Sequence, residues 1–291
     1  MSTNSTALIR GLSEIAASYD VIFCDVWGVV HNGKQHFADA CAALRRFREE
    51  RKGIVILVTN APRPNPPVRQ QLDRLAVPHA AYDDVVTSGD VTLALIAAHG
   101  AEPVYHIGPE RDLTLFDILK SQTGVDPPRV SLDAAKYVAC TGLFDDQTEK
   151  PEDYDGQLAI MKARGLEFIS ANPDLVVHVG DRLIPCSGAL ADRYAKMGGR
   201  VLQAGKPFAP IYERAMGVAR QRLGRAFEKR RVLAIGDGMR TDVKGGVDFG
   251  LDVLFVAGGI HQDEARDPSA FARFLANAES RPKAALDELR W

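Results

Sequence analysis

Short, fully apolar runs alternate with longer stretches of helical periodicity along most of this chain. The clearest runs have no polar face, and each is followed by polar residues or glycine, which is typical of strands buried on both sides of a parallel sheet. This alternation predicts an α/β fold with a doubly wound, Rossmann-like parallel sheet. The best strands are predicted at residues 21–24, 54–58, 232–235 and 253–256.

The middle third of the chain repeats this pattern with strands of its own. They are predicted at residues 104–107, 137–140, 168–170 and 176–179. The strongest polar motifs lie outside this part, so we predict a discontinuous core, residues 1–85 and 203–291, with an inserted α/β unit at 86–202. Helices are predicted at residues 7–18, 37–50, 67–76, 91–98, 151–163, 188–197, 210–223, 242–249 and within 264–291.

Composition narrows the functional class. With 291 residues, the chain is about twice a typical single-domain length, which agrees with two units. A net charge of -2 gives no reason to expect nucleic acid, and the apolar runs are too short for a membrane span. The four cysteines show no paired spacing, and the N-terminus has no signal-peptide pattern. We expect buried, reduced thiols and a cytoplasmic location.

Carboxylates and a hydroxyl follow the predicted core strands, at the end where open α/β sheets bind ligands. Asp25 follows the first strand, and Thr59-Asn60 follows the second. Asp237 lies in a Gly-Asp-Gly turn after the third strand, and Asp242 lies five residues later. Each feature alone is an ordinary turn or helix cap. Their recurrence at strand ends makes this edge of the sheet the candidate site.

Charge balance indicates what such a site needs. Asp25, Asp237 and Asp242 would bring three negative charges together, which requires compensating cations. A divalent ion and the ammonium of Lys206, in Gly205-Lys206-Pro207, would supply three positive charges. Mg2+ prefers oxygen ligands and is commonly held by one or two carboxylates plus a substrate phosphate. Mg2+ is therefore the expected cofactor.

The order of these motifs resembles the haloacid dehalogenase superfamily. The resemblance rests on Asp25 with Gly28, on Thr59-Asn60, on Gly205-Lys206-Pro207 and on the segment 236–242, Gly-Asp-Gly-Met-Arg-Thr-Asp. In the middle unit, Asn172-Pro173-Asp174 is similar to the Asn-Pro-Asp element of the type IIA cap, found in the branch similar to sugar phosphatases and nitrophenyl phosphatases. The resemblance implies a catalytic core with an inserted, substrate-selecting type IIA cap.

The resemblance also implies roles for single residues. Mg2+ would be bound by Asp25, Asp237 and the main-chain carbonyl of Trp27, with Asp242 acting directly or through an intervening ligand. Asp25 would attack phosphorus to give an aspartyl-phosphate, with Thr59 and Lys206 stabilising the charge on the phosphoryl oxygens. The residues expected to bind substrate are Thr59, Asn60, Asn172, Asp174 and Lys206.

Trp27 departs from the pattern, because most phosphatases of this superfamily have a second aspartate there that acts as general acid and base. Indole has no titratable group. Three explanations are open: His31 acts as a substitute acid, although a histidine in such a loop is more often on the surface; the substrate has a good leaving group; or turnover is slow or absent.

We therefore predict a Mg2+-dependent phosphohydrolase acting on a small, sugar-phosphate-like metabolite. The alternatives are a sensor that binds a phosphorylated metabolite with little turnover, and a phosphotransferase. Caps of this type often pair between subunits, so the resemblance also suggests a homodimer through the cap.

Overall fold

The computed structural model describes residues 6–179, 182–258 and 267–291. These residues form two compact units. Unit 1 comprises described residues of 1–59, 69–86 and 212–291, and unit 2 comprises those of 60–68 and 87–211. Residues 87–202 of the predicted insertion thus belong to unit 2, together with 60–68 and 203–211. The assignment of an inserted cap that selects substrate stays a prediction.

Unit 1 is built on a seven-stranded sheet in the order β1-β13-β12-β11-β2-β3-β4. The pairs β1/β13, β13/β12, β12/β11, β11/β2 and β2/β3 are parallel. Strands β2 and β3 are buried at every position, as their uninterrupted apolar sequences predict. The sheet strands are β1 Ala7–Leu8, β2 Val21–Cys24, β3 Ile54–Thr59, β4 Asp84–Thr87, β11 Val232–Gly236, β12 Asp252–Val256 and β13 Ala284–Leu286.

Unit 2 contains a four-stranded parallel sheet in the order β10-β7-β6-β5 and a separate antiparallel hairpin, β8/β9. Side chains of β6 alternate between two apolar clusters: Val138 and Cys140 pack in one, Tyr137 and Ala139 in the other. The sheet is therefore covered on both faces. The strands are β5 Val104–Ile107, β6 Tyr137–Cys140, β7 Glu167–Ser170, β8 Val176–Val179, β9 Arg182–Pro185 and β10 Arg200–Gln203.

Nine α-helices lie within the described residues, and most agree with the predicted positions. They are α1 Ala38–Arg51, α2 Asn65–Arg74, α3 Ser88–Ala98, α4 Thr114–Thr123, α5 Asp155–Ala163, α6 Ser187–Lys196, α7 Ala209–Leu223, α8 Lys244–Asp248 and α9 Pro268–Ala276. The doubly wound α/β class is confirmed. All four cysteines are buried and free, as expected.

The helix predicted at residues 7–18 is wrong, and the helical prediction for 264–291 is confirmed only for Pro268–Ala276. Residues 7–18 form the two-residue strand β1 and two 3-10 turns, Leu12–Glu14 and Ala16–Ser18. In the C-terminal segment only α9 is helical among the described residues, and the chain then forms β13; residues 264–266 lie outside the described part. Ala7–Leu8 and Ala284–Leu286 pair with each other as strands, and this pairing outweighs the local helical preference of both segments.

Candidate active site

Parallel pairing brings the ends of three central strands of unit 1 to one edge of the sheet. Cys24 is in register with Ile235 on one side and with Leu57 on the other. The N–H of Asp25 donates to the carbonyl oxygen of Ile235 at 2.8 Å, which continues the ladder past the end of β2. Asp25 therefore lies at the same edge as Asp237, which directly follows β11.

Three carboxylates converge at this edge. The side chains of Asp25, Asp237 and Asp242 each place one oxygen so that all three oxygens lie within 4.8 Å of one another. The three residues are buried, at 8%, 7% and 5% exposure. Three carboxylates this close repel one another strongly unless a cation lies between them. An all-oxygen set of buried carboxylates fits a hard divalent ion such as Mg2+ or Ca2+.

Glycines allow two of these carboxylates to reach the cluster. Gly28 has a φ of +83°, and a Cβ there would lie 2.1 Å from Oδ2 of Asp237. A Cβ on Gly236 would lie 2.1 Å from Cγ of Asp242. Any larger residue at either position would displace a carboxylate, so the Gly28 match and the Gly-Asp-Gly turn have a steric reason.

A π-helical turn at Met239–Val243 positions Asp242. The predicted α-helix at 242–249 is thus preceded by a wider turn, and α8 begins at Lys244. Oδ2 of Asp242 accepts a hydrogen bond from the N–H of Gly238 at 3.1 Å. The carboxylate of Asp242 is therefore tied to the same turn that carries Asp237.

Trp27 and His31 form a packed loop beside Asp25. Their rings meet edge to face with centroids 5.3 Å apart, and a Cβ on Gly33 would touch the indole at 2.4 Å. Nδ1 of His31 accepts the N–H of Gly33 at 3.0 Å. His31 is only 2% exposed, and burial lowers its pKa to about 4. The expectation of a surface histidine is wrong, and a buried neutral imidazole is poorly suited to donate a proton at pH 7.

Unit 2 brings together three further predicted site residues. The side chain of Asn60 bonds to the main chain of Lys206 and to the carboxylate of Asp174. Asn60 and Lys206 are buried, at 6% and 4% exposure. Thr59, at the end of β3, is also buried. The substrate contacts of these residues, and the role of the Trp27 carbonyl, stay predictions.

Asn172 holds the turn that carries Asp174, through hydrogen bonds of its backbone and of its side chain. Its Oδ1 accepts the N–H of Asp174 at 2.9 Å, which closes a tight turn through Pro173. Its own N–H donates to Oγ of Ser187 at 2.9 Å. Ser187 cannot be recognised from the sequence, because it lies 15 positions from Asn172, at the start of helix α6, and no local pattern marks such a contact.

Comparison with known proteins agrees with this geometry. A model described as haloacid dehalogenase-like hydrolase matches residues 22–120, and a second, HAD-hydrolase-like model matches residues 203–289. The crystal structure of a haloacid dehalogenase-like hydrolase from Brucella suis superimposes with a TM-score of 0.84 at 48% identity, covering 97% of this chain and 100% of that one. This chain belongs to the haloacid dehalogenase-like hydrolase family.

Two more distantly similar proteins have names that state an activity. A 5'-nucleotidase from Bacillus subtilis is 27% identical over 250 residues, covering 85% of this chain and 90% of that protein. A glycerol phosphate phosphatase from Mycobacterium tuberculosis, crystallised with magnesium, has the same fold at 24% identity and a TM-score of 0.66, over 94% of this chain and 77% of that one. The predictions of the family and of an enzyme of the phosphatase class are confirmed.

Within the described residues, no helix combines the length and apolar character that crossing a bilayer requires.

Proposed function

We propose that this haloacid dehalogenase-like hydrolase is a Mg2+-dependent phosphatase of small phosphorylated metabolites, with Asp25 as nucleophile. The observation that carries the proposal is the convergence of Asp25, Asp237 and Asp242, three buried carboxylates within 4.8 Å at the ligand-binding edge of a parallel sheet. Such a cluster is costly without a cation, and its oxygen ligands suit Mg2+. The magnesium in the Mycobacterium tuberculosis phosphatase supports the choice of metal.

The reaction proceeds in two displacements on phosphorus. A carboxylate oxygen of Asp25 attacks, the bond from phosphorus to the leaving oxygen breaks, and an aspartyl-phosphate forms on Asp25. Water then attacks the same phosphorus atom, releases inorganic phosphate and regenerates the carboxylate. Thr59 and the Lys206 ammonium bind the phosphoryl oxygens while charge develops. Asp25, Asp237 and the Trp27 carbonyl would hold Mg2+, with Asp242 acting directly or through an intervening ligand, and the ion would supply further positive charge at those oxygens.

Substrate selection is assigned to unit 2, through Asn172 and Asp174. Relatives acting on a nucleotide and on glycerol phosphate support a small phosphate ester, with a sugar phosphate as the first class to test. Homodimer formation through this unit and a cytoplasmic location stay predictions. Sedimentation of the purified protein measures the first of these directly.

The test is phosphate release from a panel of sugar phosphates, glycerol phosphates and nucleoside monophosphates. We expect release with Mg2+ present, its loss on chelation and its return when Mg2+ is added back. Mg2+ should also raise the melting temperature of the protein without substrate, because it relieves the repulsion among three carboxylates. Tight binding of a panel member without release would favour the sensor, and transfer of the phosphoryl group to a sugar would favour the phosphotransferase.

Trp27 leads to a prediction about the leaving group. Its indole donates only through N–H, and His31 beside it is buried with Nδ1 already bonded. Without a positioned acid, p-nitrophenyl phosphate should be hydrolysed much faster than glycerol phosphate, because the leaving nitrophenolate needs no proton. Trp27→Asp should raise the rate for glycerol phosphate relative to p-nitrophenyl phosphate by about 100-fold, the lower value for a positioned acid.

Trp27→Phe is the matched control, since it also removes the indole but adds no titratable group. It should keep the preference for p-nitrophenyl phosphate. Equal rates for both substrates in the unmodified protein would show that an acid acts from elsewhere and would contradict the prediction.

A further inference from the structure

Both N–H groups of the Asn60 side-chain amide donate hydrogen bonds to other residues of the protein. An asparagine amide offers two N–H donors and one carbonyl acceptor. Nδ2 donates to Oδ1 of Asp174 at 3.0 Å and to the carbonyl oxygen of Lys206 at 3.0 Å. Oδ1 accepts the N–H of Lys206 at 2.7 Å. Both donors are therefore used before any substrate arrives, and the residue is 6% exposed.

These bonds fix the orientation of the amide. The N–H of Lys206 requires an acceptor, so Oδ1 must face it. A flipped amide would place N–H against N–H at Lys206 and a carbonyl oxygen against the carboxylate of Asp174. Only the observed orientation satisfies the main chain of Lys206 and the side chain of Asp174 together.

Gly205 provides the space for this arrangement. A Cβ on Gly205 would lie 2.4 Å from Oδ1 of Asn60, 2.6 Å from Cδ of Pro173 and 2.8 Å from Oγ of Ser88. All three distances are shorter than real Cβ contacts. A side chain at position 205 must therefore displace Asn60 or the turn that leads to Asp174.

We propose that Asn60 is a positioning residue, whose side chain holds the Lys206 backbone and the Asp174 carboxylate in a fixed relation and does not itself contact the substrate. The substrate contact predicted for Asn60 from the sequence would then be made by its backbone N–H. The role rests on the proposed function insofar as Lys206 binds the transferring phosphoryl group and Asp174 selects substrate. A displacement of about 1 Å at such a group lowers the rate about 100-fold.

Asn60→Asp tests the donors with almost no change of shape. The new carboxylate keeps an acceptor for the N–H of Lys206, loses both donors and faces the carboxylate of Asp174. We expect kcat/KM for p-nitrophenyl phosphate to fall about 10- to 100-fold, mainly in kcat, because the Lys206 ammonium acts on charge that develops during transfer. Asn60→Ser removes both amide N–H donors without adding charge, and its shorter side chain has a single hydroxyl in their place, so it should show the same kcat loss.

A double-mutant cycle that combines Asn60→Asp with Asp174→Asn tests the hydrogen bond between these two side chains directly. In the double variant the donor and acceptor are exchanged, so the hydrogen bond from residue 174 to residue 60 is restored. The double variant should be at least about fivefold more active than the product of the two single losses predicts. Independent effects, with no excess, would overturn the proposal.

Gly205→Ala should reproduce the Asn60 variants, because its methyl carbon would lie 2.4 Å from Oδ1 of Asn60 and so displace the amide. Gly156→Ala is the matched control: it lies in helix α5 of the same unit, and a Cβ there has no neighbour within 4 Å. We expect a normal kcat for Gly156→Ala and a low kcat for Gly205→Ala. Normal kcat for both variants, each with a normal melting temperature, would overturn the proposal.

Binding of inorganic phosphate, measured by calorimetry with Mg2+ present, separates this proposal from the proposed function. If the unmodified protein binds phosphate but hydrolyses no ester, the proposed phosphatase function is wrong. The same variants then still test the positioning role of Asn60 through their affinity for phosphate. Weaker phosphate binding in Asn60→Asp, Asn60→Ser and Gly205→Ala supports it. Unchanged binding and unchanged kcat in folded Asn60→Ser overturns it.

Discussion

Asp25→Asn is expected to abolish phosphate release, with kcat at least about 1,000-fold below that of the unmodified protein. The amide has the same shape as the carboxylate but is not a nucleophile, so the aspartyl-phosphate cannot form. The substitution also removes one of three negative charges within 4.8 Å. The melting temperature of metal-free Asp25→Asn should therefore be at least as high as that of the unmodified protein, which excludes unfolding as the cause.

Two further measurements test whether the loss is specific to Asp25 as the nucleophile. Acid quenching of the unmodified protein during turnover of labelled substrate should trap label on the chain, and Asp25→Asn should trap none. Asp133→Asn, the same change at an exposed aspartate, should leave both release and trapping unchanged. Substantial release by Asp25→Asn would remove Asp25 from the mechanism.

Gly28→Ala has the second large expected effect, because it combines two separate costs. The φ of +83° disfavours any L-residue by about 1 to 2 kcal/mol. The added Cβ also meets Oδ2 of Asp237 at 2.1 Å, so the carboxylate must leave its place in the cluster. We expect kcat/KM to fall at least about 100-fold, together with a loss of the stabilisation by Mg2+.

Gly250→Ala distinguishes the cost of backbone strain from the cost of displacing Asp237. Gly250 has nearly the same φ, +82°, but a Cβ there has nothing within 4 Å. This variant should lose about the same 1 to 2 kcal/mol of stability while keeping its activity and its response to Mg2+. Equal activity losses in both variants would show that backbone strain, not displacement of Asp237, explains the effect.

The sequence was sufficient for the central strands of unit 1, since β2 and β11 are apolar on both faces and leave few alternatives to burial in a parallel sheet. It was insufficient where pairing between distant segments decides the structure. Ala7–Leu8 and Ala284–Leu286 contain small residues with little strand preference, and each is a strand because the other lies beside it. β9, a partly polar hairpin strand, was missed for a similar reason.

The order of the motifs predicts which residues belong to the candidate site. It does not predict the hydrogen bonds that these residues make. Asp25, Asp237 and Asp242 do form one cluster, because Asp25 and Asp237 follow strands at the same edge of the sheet and Asp242 lies in the π-helical turn after β11. Burial of His31 was not predictable, since it depends on packing against Trp27 and on the bridge between His31 and His36. The use of both Asn60 donors depends on residues more than 100 positions away.

The order of strands in unit 1 also has a consequence for folding during synthesis. The central strand β2 pairs with β3, made shortly afterwards, and with β11, made about 200 residues later. Most of unit 2 is one continuous stretch and can reach its final pairing while the ribosome is still adding residues. Until β11 emerges, one edge of β2 has no strand beside it, and Asp25 lacks the other two carboxylates of its cluster.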